Sequence, residues 1–103
     1  MHADIANKRP ELTALCRRYD VARLEVFGSA ARGGDFDPER SDADFLVEFK
    51  AGSALPPLEQ FFGLAQALEE LLGRSVDLVE PSAIKNPFVR AAIERSREVV
   101  YGS

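Results

Sequence analysis

The apolar residues of this chain change their spacing from segment to segment, and this alternation restricts the folds open to it. Residues 5–19 and 57–72 carry apolar side chains at helical spacing. Short apolar runs of the kind found in strands separate and follow them, at residues 21–27, 43–49, 75–80 and 98–101. A further short helix is predicted over residues 87–95 and a helical turn over 30–32. This order predicts an α/β (α+β) fold, with a mixed sheet of about four strands packed against helices.

Two segments show their buried faces most clearly. Pro56 and Pro57 suit the first turn of the helix at 57–72, and Gly73 suits the position that follows its last turn. The apolar stripe predicted to face the core consists of Leu58, Phe61, Phe62, Ala65, Leu68 and Leu72. In the strand at 43–49 the residues predicted to share one face are Ala43, Phe45, Val47 and Phe49.

Length and composition favour one globular domain over residues 1–103, with 46% hydrophobic and 29% charged residues. No apolar run reaches the roughly 20 residues that cross a bilayer, and residues 1–11 lack the apolar core of a signal peptide. A cytoplasmic location without a membrane partner is therefore expected. The net charge of −4 argues against direct nucleic-acid binding, which relies on a basic surface. The single cysteine, Cys16, excludes an internal disulfide and is expected in the core.

Three carboxylates, Asp42, Asp44 and Asp77, form the candidate catalytic and metal-binding set. Asp42 and Asp44 open a strand two residues apart, so their side chains point the same way, about 6.6 Å apart along the chain. Two carboxylates aimed at one point repel each other, and a hard divalent ion such as Mg²⁺ removes that cost. Asp77 lies within an apolar strand, where a buried charge is costly unless it is paired or bound to metal. If the two strands are neighbours, three carboxylates can hold two metal ions.

Gly28 and Ser29 follow a strand directly, and this position suits a phosphate. Glycine allows backbone N–H groups to approach closely, serine adds a hydroxyl, and the start of a helical turn favours anions. Arg32, one turn later, can reach a triphosphate oxygen with its planar guanidinium. Gly28, Ser29 and Arg32 are thus the candidate nucleotide-binding residues.

Each feature has a simpler interpretation when it is taken alone. Gly-Ser after a strand is often only a turn and helix cap. Asp42 can belong to a turn that closes the preceding loop, with Asp44 as a solvated neighbour. Asp77 can form a structural ion pair with Arg74 or Arg97. The functional interpretation depends on finding all of these features together and in this order.

Three segments together resemble the nucleotidyltransferase superfamily of the polymerase-β type, and in particular the minimal nucleotidyltransferase (MNT) antitoxins. They are FGSAARG at 27–33, SDADFLVEF at 41–49 and SVDLVE at 75–80. The resemblance implies the polymerase-β-like fold, a two-metal Mg²⁺ site on Asp42, Asp44 and Asp77, and phosphate binding by Gly28, Ser29 and Arg32. Residues 30–41 form a longer link than in many relatives, which leaves the role of the 33–40 loop open.

The resemblance also implies a biological role. The sequence is similar to MNT antitoxins, which silence a HEPN-domain ribonuclease toxin by transferring AMP from ATP onto a tyrosine of that toxin. ATP as substrate, a HEPN toxin as partner and a hetero-oligomer are expected on this basis. Asp77 is the candidate to accept the proton of the acceptor hydroxyl.

Three rival functions remain open at this stage. A binding-only antitoxin would block the toxin sterically, without transfer. A transferase for a small molecule usually has a second, acceptor-binding domain, for which this chain has few residues. A nucleic-acid polymerase is disfavoured by the acidic charge.

Overall fold

The computed structural model describes residues 3–28 and 43–102, and these form one sheet with helices. The helices are α1 (Ala3–Ala6), α2 (Arg9–Arg18), α3 (Pro57–Leu72) and α4 (Pro87–Ser96), and a short 3-10 helix spans Pro81–Ala83. The strands are β1 (Val21–Phe27), β2 (Ala43–Phe49), β3 (Val76–Val79) and β4 (Glu98–Tyr101). The predicted turn at 30–32 and the loop at 33–40 lie outside the described residues. The mixed α/β architecture predicted from the sequence is confirmed.

The sheet has the order β3-β2-β1-β4. β1 pairs antiparallel with β2 and with β4, whereas β2 pairs parallel with β3. Parallel neighbours need a crossover connection, and α3 supplies it between β2 and β3. The sheet is therefore mixed, with β3 at one edge.

The main core lies between one face of the sheet and helices α2 and α3. Ala43, Phe45 and Val47 of β2 are fully buried there, and Phe49 packs against them, as the alternation along this strand predicts. Leu24 and Val26 of β1 belong to the same cluster. The residues between them in each strand consequently point to the opposite face of the sheet.

The predicted first helix, residues 5–19, is instead two helices with a break at Asn7 and Lys8. Pro10 explains the break. It has no N–H to donate to the carbonyl of Ala6, and its ring would collide with that carbonyl in a continuous helix. α1 ends at Ala6, and Pro10 lies in the first turn of α2.

Helix α3 has the predicted bounds, and Gly73 ends it with a left-handed φ of 67°. Its buried stripe was predicted wrongly at two positions, since Leu58 is 73% exposed and Phe62 is 62% exposed. The buried arc is rotated towards α2. Gln60 is buried and donates a 2.8 Å hydrogen bond from Nε2 to the carbonyl of Tyr19, and Gly63 admits the ring of Tyr19.

Cys16 lies in the core, as predicted. Burial raises the pKa of its thiol to about 12, because the low-dielectric surroundings disfavour the thiolate. None of the helices in the described ranges is long and apolar enough to cross a membrane.

We expect Leu68→Ala to lower the free energy of unfolding by about 2–5 kcal/mol, since it leaves a cavity at a fully buried position. Leu58→Ala, on the same helix but exposed, is the matched control and should change it by no more than about 0.5 kcal/mol. Urea unfolding followed by circular dichroism measures both. Equal losses for the two variants would contradict the orientation of α3.

We also expect the Cys16 thiol to resist a disulfide reagent in the folded protein at pH 8 and to react stoichiometrically in urea. Because the pKa of this thiol is raised on folding, the protein should be stable below the thiol's ordinary pKa of 9.0 and lose stability as the pH rises towards 12. The absorbance of the released reagent measures how many thiols react per chain, and it should correspond to about one in urea and to almost none in the folded protein. Rapid reaction of the folded protein would show that the thiol is accessible.

Candidate functional site

Two of the three candidate carboxylates lie side by side on the face of the sheet opposite the main core. Asp44 of β2 and Asp77 of β3 are direct partners in the parallel register, next to the buried pair Phe45 and Leu78. Register partners project from the same face of a sheet, and neighbouring strands lie about 4.8 Å apart. The strand pattern thus brings together two carboxylates that are far apart in the sequence.

The sequence argument for Asp77 needs a correction. Asp77 was expected to be a charge enclosed by apolar strand residues, but it is exposed. The reason is that β3 is an edge strand, so solvent reaches the side of Asp77 that faces away from Asp44. Arg97, one of the two arginines that could have formed an ion pair with Asp77, pairs with Glu25 instead.

Gly28 completes the described part of the site. It follows β1 directly, and its neighbour in that strand, Phe27, is the register partner of Asp44. Gly28 has a φ of +70°, and a Cβ atom placed on it would lie 2.8 Å from Oδ2 of Asp44. Glycine is therefore favoured here for two reasons, its left-handed backbone and the close approach of the Asp44 carboxylate.

The other half of the candidate set lies outside the described residues. Ser29, Arg32 and Asp42 belong to the segment between Gly28 and Ala43. Within residues 3–28 and 43–102 there is no group of three or more acidic, histidine or cysteine side chains placed to hold a metal ion. The donors that are described suit Mg²⁺ nonetheless, because two carboxylates on one face supply the oxygen ligands that this ion prefers.

An open pocket of about 280 Å³ adjoins Gly28 between the end of β1 and α4. Its lining residues besides Gly28 are Phe27, Val89, Ala92, Ile93 and Ser96. The walls are largely apolar, and one further residue of α4, Phe88, is 83% exposed. Gly28 thus adjoins both the carboxylate of Asp44 and an apolar pocket.

Two residues near this turn were not found by sequence reasoning. The hydroxyl of Ser96 accepts a 3.0 Å hydrogen bond from the backbone N–H of Gly28. Glu25 is only 4% exposed and forms ion pairs with Arg23 at 3.1 Å and Arg97 at 3.5 Å. A lone glutamate in the apolar run VARLEVF could have indicated a buried ion pair, whereas no local pattern identifies Ser96, 68 residues beyond Gly28.

The sequence matches the nucleotidyltransferase domain family over residues 12–100. It is 42% identical over 91 residues to a candidate protein adenylyltransferase of Methanocaldococcus jannaschii, covering 88% of this chain and 86% of the relative. It is 41% identical over 87 residues to the protein adenylyltransferase MntA of Thermococcus cleftensis, covering 84% of this chain and 80% of the relative.

Solved structures share the fold. A structure described as a candidate minimal nucleotidyltransferase superimposes with a TM-score of 0.74 at 35% identity, covering 95% of each chain. A complex of tri-AMPylated Shewanella oneidensis HEPN toxin with MNT antitoxin contains a chain that superimposes with a TM-score of 0.62 at 20% identity. That match covers 96% of this chain and 73% of the other, and at this identity it concerns the fold alone.

We expect Gly28→Ala to displace the carboxylate of Asp44, since a side-chain oxygen can rotate away from a new methyl group more easily than backbone can move. Gly52→Ala is the matched control, because Gly52 has a similar φ of +78° and nothing within 4 Å of an added Cβ. Both variants should lose about 1–2 kcal/mol of stability from the left-handed backbone. Only Gly28→Ala should shift the ¹³C resonance of the Asp44 carboxyl. An unchanged resonance would disprove the close approach.

Proposed function

The chain belongs to the nucleotidyltransferase domain family, as a minimal nucleotidyltransferase, and we propose that it transfers AMP from ATP onto a partner protein. The observation that carries this proposal is the register pairing of Asp44 with Asp77 beside the Gly28 turn. This pairing places two carboxylates on one face of the sheet, next to a backbone turn of the kind that binds phosphate.

We infer that Asp42, Asp44 and Asp77 hold Mg²⁺ together. The alternation of β2, extended one residue towards the N-terminus from Ala43, would place Asp42 on the face of Asp44. With Mg²⁺ held by these carboxylates, the site would supply positive charge to offset that of the triphosphate and of the attacking oxygen. Asp77 is well suited to contact an incoming group, because it is exposed at the edge of the sheet.

In the proposed reaction a hydroxyl oxygen of the acceptor attacks the α-phosphorus of ATP. A new oxygen–phosphorus bond forms, the bond from that phosphorus to the bridging oxygen of the β-phosphate breaks, and pyrophosphate leaves. Asp77 accepts the proton of the hydroxyl. Ser29 and Arg32 would bind the triphosphate, the first through its hydroxyl and N–H groups and the second through its planar guanidinium.

We propose a HEPN-domain toxin as the acceptor, modified on a tyrosine, with this chain acting as its antitoxin in a cytoplasmic hetero-oligomer. Two findings support this step. The chain is similar over most of its length to the protein adenylyltransferase MntA. It also shares its fold with a chain in the complex of an AMPylated HEPN toxin with MNT antitoxin.

A purified mixture of this chain, the product of the neighbouring gene, Mg²⁺ and ATP labelled on the α-phosphate tests the proposal. Label should reach a tyrosine of the partner, identified by mass spectrometry, and chelation of Mg²⁺ should abolish transfer. Asp42→Asn combined with Asp44→Asn should reduce the rate at least about 100-fold, because the charge that balances the metal is removed.

Glu48→Gln is the control, since Glu48 lies on the same strand and the same face as Asp44 but is exposed and four residues away. It should retain the wild-type rate. Absence of labelled partner with wild-type protein, while an active relative works in parallel, would refute AMP transfer. A doubly substituted chain that still neutralises the toxin in cells would instead support a binding-only antitoxin.

A further inference from the structure

A single hydroxyl joins the last turn of α4 to the turn that follows β1. Oγ of Ser96 accepts the N–H of Gly28 at 3.0 Å, and it lies 3.3 Å from the carbonyl oxygen of Ala92 and 3.4 Å from that of Ile93. A serine hydroxyl can accept and donate at once. Ser96 therefore accepts from Gly28 while it donates back into its own helix, which fixes its rotamer.

The position of Ser96 is itself fixed by its neighbours. Ile93, one turn earlier, is 8% exposed, and Arg97, the next residue, pairs with the buried carboxylate of Glu25. Glu25 belongs to β1 and precedes Gly28 by only three residues. Both ends of the hydrogen bond are thus tied to the same strand, so the hydroxyl holds the turn in a defined place relative to the sheet.

This hydrogen bond limits what the backbone of Gly28 can contribute to phosphate binding. Its N–H is already used inside the protein, so Gly28 does not offer this donor to a phosphate. Its φ of +70° and the 2.8 Å approach of an ideal Cβ to Asp44 make the direction of the turn and the placement of Asp44 depend on each other. Without the hydrogen bond to Ser96, the backbone at Gly28 would be less constrained, and Asp44 would gain room to move.

We propose that Ser96 is a positioning residue for nucleotide binding, which acts by holding the amide of Gly28 and thereby the turn beside Asp44. This rests on the proposed function, in which the same turn binds the triphosphate of ATP. Ser96 itself does not contact the nucleotide. Its contribution is to order the turn before ATP arrives, which reduces the entropy lost on binding.

The experiment compares Ser96→Ala, which removes the hydroxyl, with Ser96→Thr, which keeps it, and with Ser82→Ala as a matched control at an exposed serine. In Ser96→Ala the exchange protection of the Gly28 amide, measured by NMR, should fall about tenfold. The KM for ATP should rise about fivefold, with kcat changed less than twofold, because the turn serves substrate and transition state alike. Ser96→Thr should restore both values, and Ser82→Ala should leave them unchanged.

Three results would overturn the proposal. One is unchanged protection of the Gly28 amide in Ser96→Ala. The second is a lower kcat at unchanged KM together with a lower melting temperature, which indicates a structural role only. The third is a failure of Ser96→Thr to restore the KM while the protein remains folded. If wild-type protein transfers no AMP, the proposed function fails instead, and amide exchange with calorimetric ATP binding still tests the role of Ser96.

Discussion

The whole arrangement depends on the sheet burying its two faces differently. Ala43, Phe45 and Val47 must face helices α2 and α3, so Asp44 has to project from the opposite face. Leu78 imposes the same choice on β3 and places Asp77 beside Asp44. A register slip of one residue would move a carboxylate into the core and expose a phenyl ring. The hydrophobic effect in the core therefore fixes the geometry of the acidic pair, although neither carboxylate contributes to that core.

The face that carries the carboxylates is not simply left to solvent. Helix α4 covers part of it through Ile93, and the buried Glu25 meets Arg97 there. Only the glutamate of this pair is buried, and the Arg97 side chain is 39% exposed, so removal of Arg97 would weaken the compensation of a buried carboxylate. The effect of the pair here is to specify where the end of α4 lies. That specificity matters because Ser96, the residue before Arg97, donates into α4 and accepts the N–H of Gly28 after β1.

Features that depend on local pattern could be predicted from the sequence. The bounds of β1, β2, α3 and β4 followed from periodicity, and the left-handed Gly73 followed from its place after an apolar helix. The split between α1 and α2 was missed although Pro10 encodes it, because the apolar spacing continues across the break. The grouping of acidic residues could also be predicted, since strand alternation decides which face Asp44 occupies.

Features that depend on tertiary neighbours could not be predicted. Leu58 and Phe62 have helical spacing, but which arc of α3 is buried depends on tertiary contacts such as that of Tyr19 with Gly63. Asp77 is exposed because β3 lies at the sheet edge, and no residue of β3 encodes strand order. The roles of Ser29, Arg32 and Asp42 stay predictions, since these residues lie outside the described ranges.

The crossover through α3 has a consequence for how the site comes into existence. Asp44 and Asp77 lie at opposite ends of that connection, and their strands pair in parallel. Two parallel strands joined by a long connection lose chain entropy when the connection closes, before their contacts can offset that loss. Pairing of this kind is therefore intrinsically slow. A chain that ends before residue 76 would contain Asp44 without a partner strand to place Asp77 beside it. The acidic pair therefore exists only after β3 has joined the sheet beside β2.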